Sequence, residues 1–436
     1  MNIRLYNAKI LTMEKDRTVF DGEIWIKNSK IAYVGEAKHL EKFWQDGKDI
    51  CIIWDQEIDC EGNLLMPGFK DAHTHSGMTF LRSYADDLPL QRWLNEKIFP
   101  MEAKLTGEDI YHFVKLAVLE YLTSGITAIF DMYLKPDITA HACMDMGMRC
   151  VLTSGLNDFT SSVQEVAEEY QRWNHTSELI SYQLGFHAEY TCSRQLLTQL
   201  ASLAHKLRAP VYAHMSETEK EVSDCKKKYG MTPPLFLDSL GMFQFGGGGY
   251  HCVHMTEDDV RVFIKRGMSV VTNPASNMKL ASGIAPIAEY VAKSIPVAIG
   301  TDGAASNNSL DMFKEMYLAA GLAKLREKDP ACIPAMEILR MATVGGSAAM
   351  RLPQADVLAE GKLADIILID LKQPNMQPVH NIPANLVYSG SKQNVKMTMI
   401  GGKVLYRDGQ FFVGEDAGNI YRETERIVRR LTGQDN

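Results

Sequence analysis

The chain has no stretch of roughly 18 or more apolar residues, so it offers no ordinary membrane-spanning helix. Met1 to Met13 lacks the continuous apolar core of a secretion signal; it alternates, carries Arg4 and Lys9, and reads as a strand. Cys-x-x-Cys is absent, and the eight cysteines are scattered over 436 residues. That excludes a small disulfide framework and points to reduced, mostly buried thiols in a cytoplasmic protein. Neither a Gly-x-Gly-x-x-Gly fingerprint nor a P-loop occurs, which argues against hydride and phosphoryl transfer. Basic blocks are missing as well. The net charge is −8, and Lys226-Lys227-Lys228 is the only run of three basic residues, better read as a solvated helix face than as a phosphate patch. A nucleic-acid surface is therefore not expected. There is no internal repeat, and the one low-complexity spot, Gly246-Gly247-Gly248-Gly249, reads as a loop entering a strand.

An apolar fraction of 46% is ample for a sizeable core, and the length fits a large barrel plus a smaller unit. Residues 1–63 read as all-β, with a hairpin of Glu23 to Lys27 and Ile31 to Gly35, a further strand from Ile50 to Ile58, and room for one short helix over 36–46. From residue 64 the rhythm changes. Short apolar runs at 64–75, 126–132, 149–156, 180–190, 210–217, 248–255, 268–274 and 296–302 alternate with segments of helical period. Between the first two, Thr106 and Asp109 form a capping-box pattern ahead of the stripe Ile110, Phe113, Val114, Ala117 and Tyr121, and Gly125 can end that helix. Eight such runs predict a (β/α)8 TIM-like barrel over 64–359. Beyond 360 the β pattern returns, with Ala364 to Asp370, a hairpin of Val395 to Ile400 and Lys403 to Tyr406, and a charged helix over 416–432. Residues 1–63 and 360–436 are expected to join as one small β-sandwich domain built from both chain ends.

In such a barrel, catalytic groups project from the C-terminal ends of the strands. His73 and His75 close the first run, His187 the fourth, His214 the fifth with Glu217 three residues on, and Asp302 the eighth, while His251 lies in the sixth. His73-Thr74-His75 alone reads as a surface pair as readily as a metal site. Within a strand its two imidazoles share a face, and imidazole suits zinc, iron or nickel. Three histidines and a carboxylate suit one divalent metal with an open position, whose bound water ionises near neutral pH. Glu217 is placed to shuttle a proton, and His251 and Asp302 to orient the water. The constellation means metal-assisted hydrolysis.

These residues carry a resemblance. Leu65-Met66-Pro67-Gly68 leading into His73-Thr74-His75, Ile98-Phe99-Pro100-Met101-Glu102, His187 in its strand, His214-Met215-Ser216-Glu217, His251-Cys252-Val253-His254, Asn273 to Leu280 and Gly300 to Asn308 together resemble the amidohydrolase superfamily over nearly the whole chain. Within it the chain is similar to the methylthioadenosine/S-adenosylhomocysteine deaminases. The resemblance implies one Zn2+ held by His73, His75, His214 and Asp302, with Fe2+ or Mn2+ as alternatives. It implies that Glu217 protonates the purine ring, that His251 polarises the attacking hydroxide, and that loss of ammonia from C6 gives the inosine analogue. By the same matching, Glu102 binds the ribose hydroxyls, His187 contacts the nucleoside and Trp93 walls the pocket. The expected partner is a small-molecule nucleoside, with no nucleic acid and no membrane; a homo-oligomer stays open.

One departure bears on the substrate. Family members acting on S-adenosylhomocysteine can carry arginines that grip its carboxylate, one of them in a Thr-Arg-Gly-Leu setting after the third strand. Here that setting is Thr153-Ser154-Gly155-Leu156, and residues 157–170 contain no arginine. Arg149 lies inside the strand instead. Without a bidentate arginine, selection for a carboxylate tail should weaken, which favours methylthioadenosine, adenosine or another neutral 5′-modified adenosine. The alternatives are a deaminase or dechlorinase of a free nucleobase or triazine, and a barrel that serves only as a scaffold.

Overall fold

A computed structural model describes residues 1–37, 43–45, 48–50 and 53–434. Its central sheet is all parallel. Phe69–His75 pairs with Ile126–Met132, and the series continues through Arg149–Thr153, Ile180–Ala188, Val211–Met215, Gly247–His251, Met268–Thr272 and Val297–Ile299. The last strand runs on through Gly300 and Thr301 into Asp302–Gly303, which pairs with Thr74 and His75 of the first and closes the barrel. Thr74 Oγ1 fastens that seam by donating to the Asp302 carbonyl at 3.0 Å. All eight predicted runs thus contribute barrel strands. Ile126–Met132 and Arg149–Thr153 are buried along their whole length, as expected for strands covered by side chains inside and helices outside. Ala72, Phe130, Val151, Tyr212, Tyr250 and Val271 belong to the interior packing, with Ala349 and Met350 plugging it.

The helix after the first strand is Gly107–Thr123, and its capping box is formed as read: Thr106 Oγ1 accepts from Asp109 N, and the Asp109 carboxylate accepts from Thr106 N. The apolar run 64–75 is two strands in two sheets. Leu64–Pro67 lies between Asn2–Ile10 and Ile366–Ile369, whereas Phe69–His75 belongs to the barrel. Gly68 stands at the crossing, where a Cβ would collide with Thr127, so only glycine lets the chain pass that closely.

Both chain ends meet in one nine-stranded sheet that includes Asn2–Ile10, Phe20–Lys27, Lys30–Gly35, Gln56–Asp59 and Leu64–Pro67 from one end, and Ile366–Ile369, Val395–Ile400 and Lys403–Arg407 from the other. Its inner face closes over a core of Ile3, Ile24, Ile58, Leu65, Ile366 and Met397, among others. Of the short helix expected over 36–46, residues 38–42 and 46 lie outside the described residues, and Phe43–Gln45 pairs as a strand with Lys48–Ile50. The expected strand from Ile50 to Ile58 is described as Gln56–Asp59; residues 51 and 52 lie outside. Arg149 points away from the chemistry. Its Nε and Nη2 clasp Asp365, just ahead of Ile366–Ile369, at 2.6 and 3.0 Å, a buried bidentate pair. The terminal helix, Ala417–Thr432, sends Ile427 and Leu431 into one apolar cluster with Trp93, Ile98 and Met101. Cysteines 60, 143, 150, 192, 225, 252 and 332 are all free. No helix among the described residues is long and apolar enough to cross a membrane.

Candidate active site

At the C-terminal end of the barrel the structure brings five side chains together from four strands. His73, His214, His251 and Asp302 each present a donor atom within 4.8 Å of the others. His75 stands outside that set, yet its Nε2 lies 3.1 Å from Asp302 Oδ1. His73 Nε2 is 3.4 Å from the same oxygen.

The rings are aimed from behind. His75 Nδ1 donates to the Met132 carbonyl. His214 Nδ1 donates to the His187 carbonyl at 2.8 Å, and His251 Nδ1 to Asn277 Oδ1 at 2.7 Å. Each of these bonds puts the proton on Nδ1 and leaves the Nε2 lone pair turned inward, the tautomer a metal needs. Asp302 is braced likewise, for Ser276 Oγ and Ser306 Oγ donate to its Oδ2 at 2.6 and 2.8 Å, leaving Oδ1 to the histidines. The backbone is bent to achieve this. His251, Cys252 and Asp302 hold φ of 68°, 49° and 58°, a left-handed conformation that non-glycine residues adopt at a cost and that clusters at functional sites.

The donor chemistry fits a divalent cation. His73 is fully buried, and neither of its ring nitrogens has a hydrogen-bond partner, an expensive arrangement unless something else fills that role. Burial drives His73 down to about 3, and burial with the neighbouring imidazoles drives His214 well below the ordinary range, so both rings are neutral and free to ligate. Burial also opposes charge on His75, but contact with Asp302 outweighs it and lifts the ring to about 9. Asp302 itself, despite burial, is held well below the usual carboxylate range by His73 and His75. The carboxylate thus demands positive charge at the point where the imidazoles converge, and a divalent cation meets that demand in place of a proton.

This cluster forms one wall of a cavity of about 210 Å³. Glu217 lines it, buried, and its Oε1 accepts from Ser282 Oγ at 2.9 Å. Glu102 lines it too, from the short helix Phe99–Glu102; burial pushes its carboxyl up to about 7 against the pull of the Tyr133 hydroxyl and of His75. Trp93, buried, lines it as well. His187 is there as well, its Nδ1 3.1 Å from Thr191 Oγ1, kept neutral by burial that lowers it to about 4. All nine residues singled out in the sequence therefore stand in or against one space. Ser154, Gly155, Asn157, Thr160 and Ser161 form a neutral stretch of wall after the third strand. Among the described residues, the one lysine or arginine in the lining is Lys135, solvent-exposed.

Two groups escaped the sequence reading. Ser282, remote in the chain from Glu217, carries no motif. Glu221 is buried and accepts from the backbone N–H groups of Ser216 and Glu217 at 2.7 and 2.8 Å. Its signal was the Thr218-x-x-Glu221 pattern, which suggests an ordinary helix cap.

A family profile described as "Amidohydrolase family" matches residues 64–405. A 5-methylthioadenosine/S-adenosylhomocysteine deaminase of Caldicellulosiruptor saccharolyticus is 38% identical over 433 residues, covering 99% of each chain. A 5′-deoxyadenosine deaminase of Methanothermobacter thermautotrophicus is 40% identical over 386 residues, 87% of this chain and 90% of that one. Among solved structures, an adenosine deaminase from Xanthomonas campestris with bound zinc superposes with a TM-score of 0.91 at 31% identity, covering 99% of this chain and 98% of that one.

Proposed function

The chain belongs to the amidohydrolase family, and from that premise we propose that it deaminates a 5′-modified adenosine by hydrolysis at C6, releasing ammonia and the inosine analogue. The observation that carries this reading is the presence of Glu102 in the same cavity as the His/Asp cluster and Glu217. A carboxylate accepting from two vicinal hydroxyls recognises ribose, and a free base or a triazine gives it nothing to bind. The fit of the donor set, together with the zinc-bound neighbour, makes Zn2+ the favoured ion, with Fe2+ or Mn2+ as alternatives; held by His73, His75, His214 and Asp302, it supplies the Lewis acidity that generates a nucleophile near neutral pH. In this reading Glu217 takes the proton from the attacking water and delivers it to N1 of the purine, which weakens the ring's aromatic hold on C6. His251, its ring fixed by Asn277, accepts a hydrogen bond from the incoming water. The hydroxyl now on C6 then gives up its remaining proton, through Glu217, to the exocyclic amine; the C6–N bond breaks, ammonia leaves and C6 becomes the carbonyl of the inosine analogue. His187 and Trp93 pack against the nucleoside.

The 5′ substituent is the finer question. The wall of Ser154, Gly155 and Asn157 offers no bidentate grip for a carboxylate. Lys135, exposed, keeps its hydration and acts as a point charge. We expect kcat/KM for methylthioadenosine, adenosine or 5′-deoxyadenosine to exceed that for S-adenosylhomocysteine by about tenfold or more, the worth of one charged hydrogen bond. Ammonia release measured across these four substrates, with adenine and guanine as controls, tests both levels. Turnover of a free base in preference to every nucleoside sinks the reaction assignment, and equal or faster turnover of S-adenosylhomocysteine sinks the selectivity.

Glu102 makes the binding step pH-dependent. Its carboxyl is raised to about 7, so it is an anion above that pH and gains a proton below it. Only the anion accepts from both ribose hydroxyls. KM is therefore expected to rise roughly tenfold between about pH 8 and pH 6, as the ionised fraction falls by that factor. Glu102→Gln should flatten this limb, and an unchanged limb in that variant would assign it to another group.

A further inference from the structure

The helix Glu219–Tyr229 begins with a local arrangement that looks routine and is not. Thr218 caps it, with Oγ1 accepting from Glu221 N at 3.2 Å. In a capping box the carboxylate at Glu221 would return to the Thr218 N–H. It reaches further back instead, one oxygen on Ser216 N and the other on Glu217 N. Glu221 is buried and forms no salt bridge among the described residues. Burial and the neighbouring Glu217 carboxylate push its carboxyl up to about 7, and the peptide N–H groups of Glu217 and Ser216 pull the other way.

What those two bonds hold is the peptide that carries Glu217. Ser216 sits at φ 51°, a strained conformation that needs support. Its carbonyl is gripped from the other side, accepting from Val253 N at 3.1 Å and His254 N at 2.8 Å, two and three residues after His251. The His254 ring donates from Nε2 to the Ser282 carbonyl at 2.7 Å, and Ser282 Oγ donates to Glu217 Oε1. A closed circuit results, running from Glu217 through Ser282, His254 and Ser216 back to Glu217, with Glu221 anchoring the peptide link.

We propose that Glu221 and Ser282 are positioning residues that fix the Glu217 carboxylate for proton transfer, Glu221 through the backbone and Ser282 through the side chain. The assignment rests on the reading of Glu217 as the proton shuttle. With Oε1 occupied by the serine, Oε2 is the oxygen presented to the substrate. The same Ser216 peptide ties this carboxylate to the strand end bearing His251, so the two groups keep their spacing as substrates enter and leave.

The test compares Glu221→Gln and Ser282→Ala with Glu217→Gln in the metal-loaded, full-length protein, measuring kcat, KM, metal content and melting temperature. Glu221→Gln keeps one acceptor but turns an amide N–H against a peptide N–H. A misplacement of the loop by about 1 Å should lower kcat about 100-fold, with KM within about threefold and metal content unchanged. Ser282→Ala, which removes one hydroxyl and should fold readily, is expected to lower kcat about tenfold with the same split. Both variants keeping kcat within about twofold of the parent, while Glu217→Gln is inactive, overturns the positioning role alone. Losses that track melting temperature or metal content, with kcat per bound metal preserved, overturn it equally. Near-parental activity in Glu217→Gln overturns the proton-shuttle reading itself.

Discussion

Asp302→Asn is expected to lose most of its bound metal and to lower kcat on the order of 10³-fold, the worth of several kcal/mol of metal-derived stabilisation. Among the described residues Asp302 is the only carboxylate in the cluster, and its Oδ1 faces both His73 and His75. Asparagine preserves volume but removes the charge around which the imidazoles are organised. Ser276 and Ser306, which donate to Oδ2, would meet either an amide oxygen or an amide N–H. In the first case the N–H₂ group turns toward the histidine nitrogens and the metal; in the second, two serine donors lose their acceptor. Metal-to-protein ratio by atomic emission, measured with kcat on the same preparation, checks the result. A variant with full metal and activity within about tenfold of the parent would remove Asp302 from the ligand set.

Glu217→Gln separates proton transfer from metal binding. Glutamine keeps the shape, and its amide oxygen still accepts from Ser282 Oγ, so the fold and the metal site should be untouched. On the proposed mechanism, what is lost is the group that gains and releases a proton. The expected result is a kcat lower by about 10²–10⁴-fold, with KM changed little and metal content unchanged. The contrast with Asp302→Asn is the point of the pair, since one variant loses activity with its metal and the other loses it while retaining the metal. Glu217→Gln falling in metal content as steeply as in rate would make Glu217 a ligand or a structural support.

Much of the fold was legible because barrel strands and capped helices carry local signals. Ile126 to Met132 is a short apolar run bounded by Gly125, and Thr106 with Asp109 announces a helix whatever surrounds it. The run 64–75 resisted for the same reason. Its apolar character is continuous, but the sheet each half joins depends on partners elsewhere: Ile366–Ile369, some 300 residues on, for Leu64–Pro67, and Ile126–Met132 for Phe69–His75. Nothing local distinguishes the two halves except Gly68, whose need for close approach to Thr127 is visible only once both segments are in place.

The site divides along the same line. Amino-acid order alone determined the chemistry available, because histidine and carboxylate at strand ends follow from strand period and barrel geometry. His73-Thr74-His75, His214, Glu217, His251 and Asp302 were all readable in this way. Only the tertiary structure decided how those groups are held. Asp302 owes its orientation to Ser276 and Ser306, His251 to Asn277, and Glu217 to Ser282 and Glu221. A hydrogen bond needs a donor and an acceptor within about 3 Å and aligned, a condition on space to which sequence separation is indifferent. Residue type can propose an acid, a base or a ligand; the packed chain settles which imidazole nitrogen is tied to a backbone carbonyl and which Glu217 oxygen is bonded to the serine.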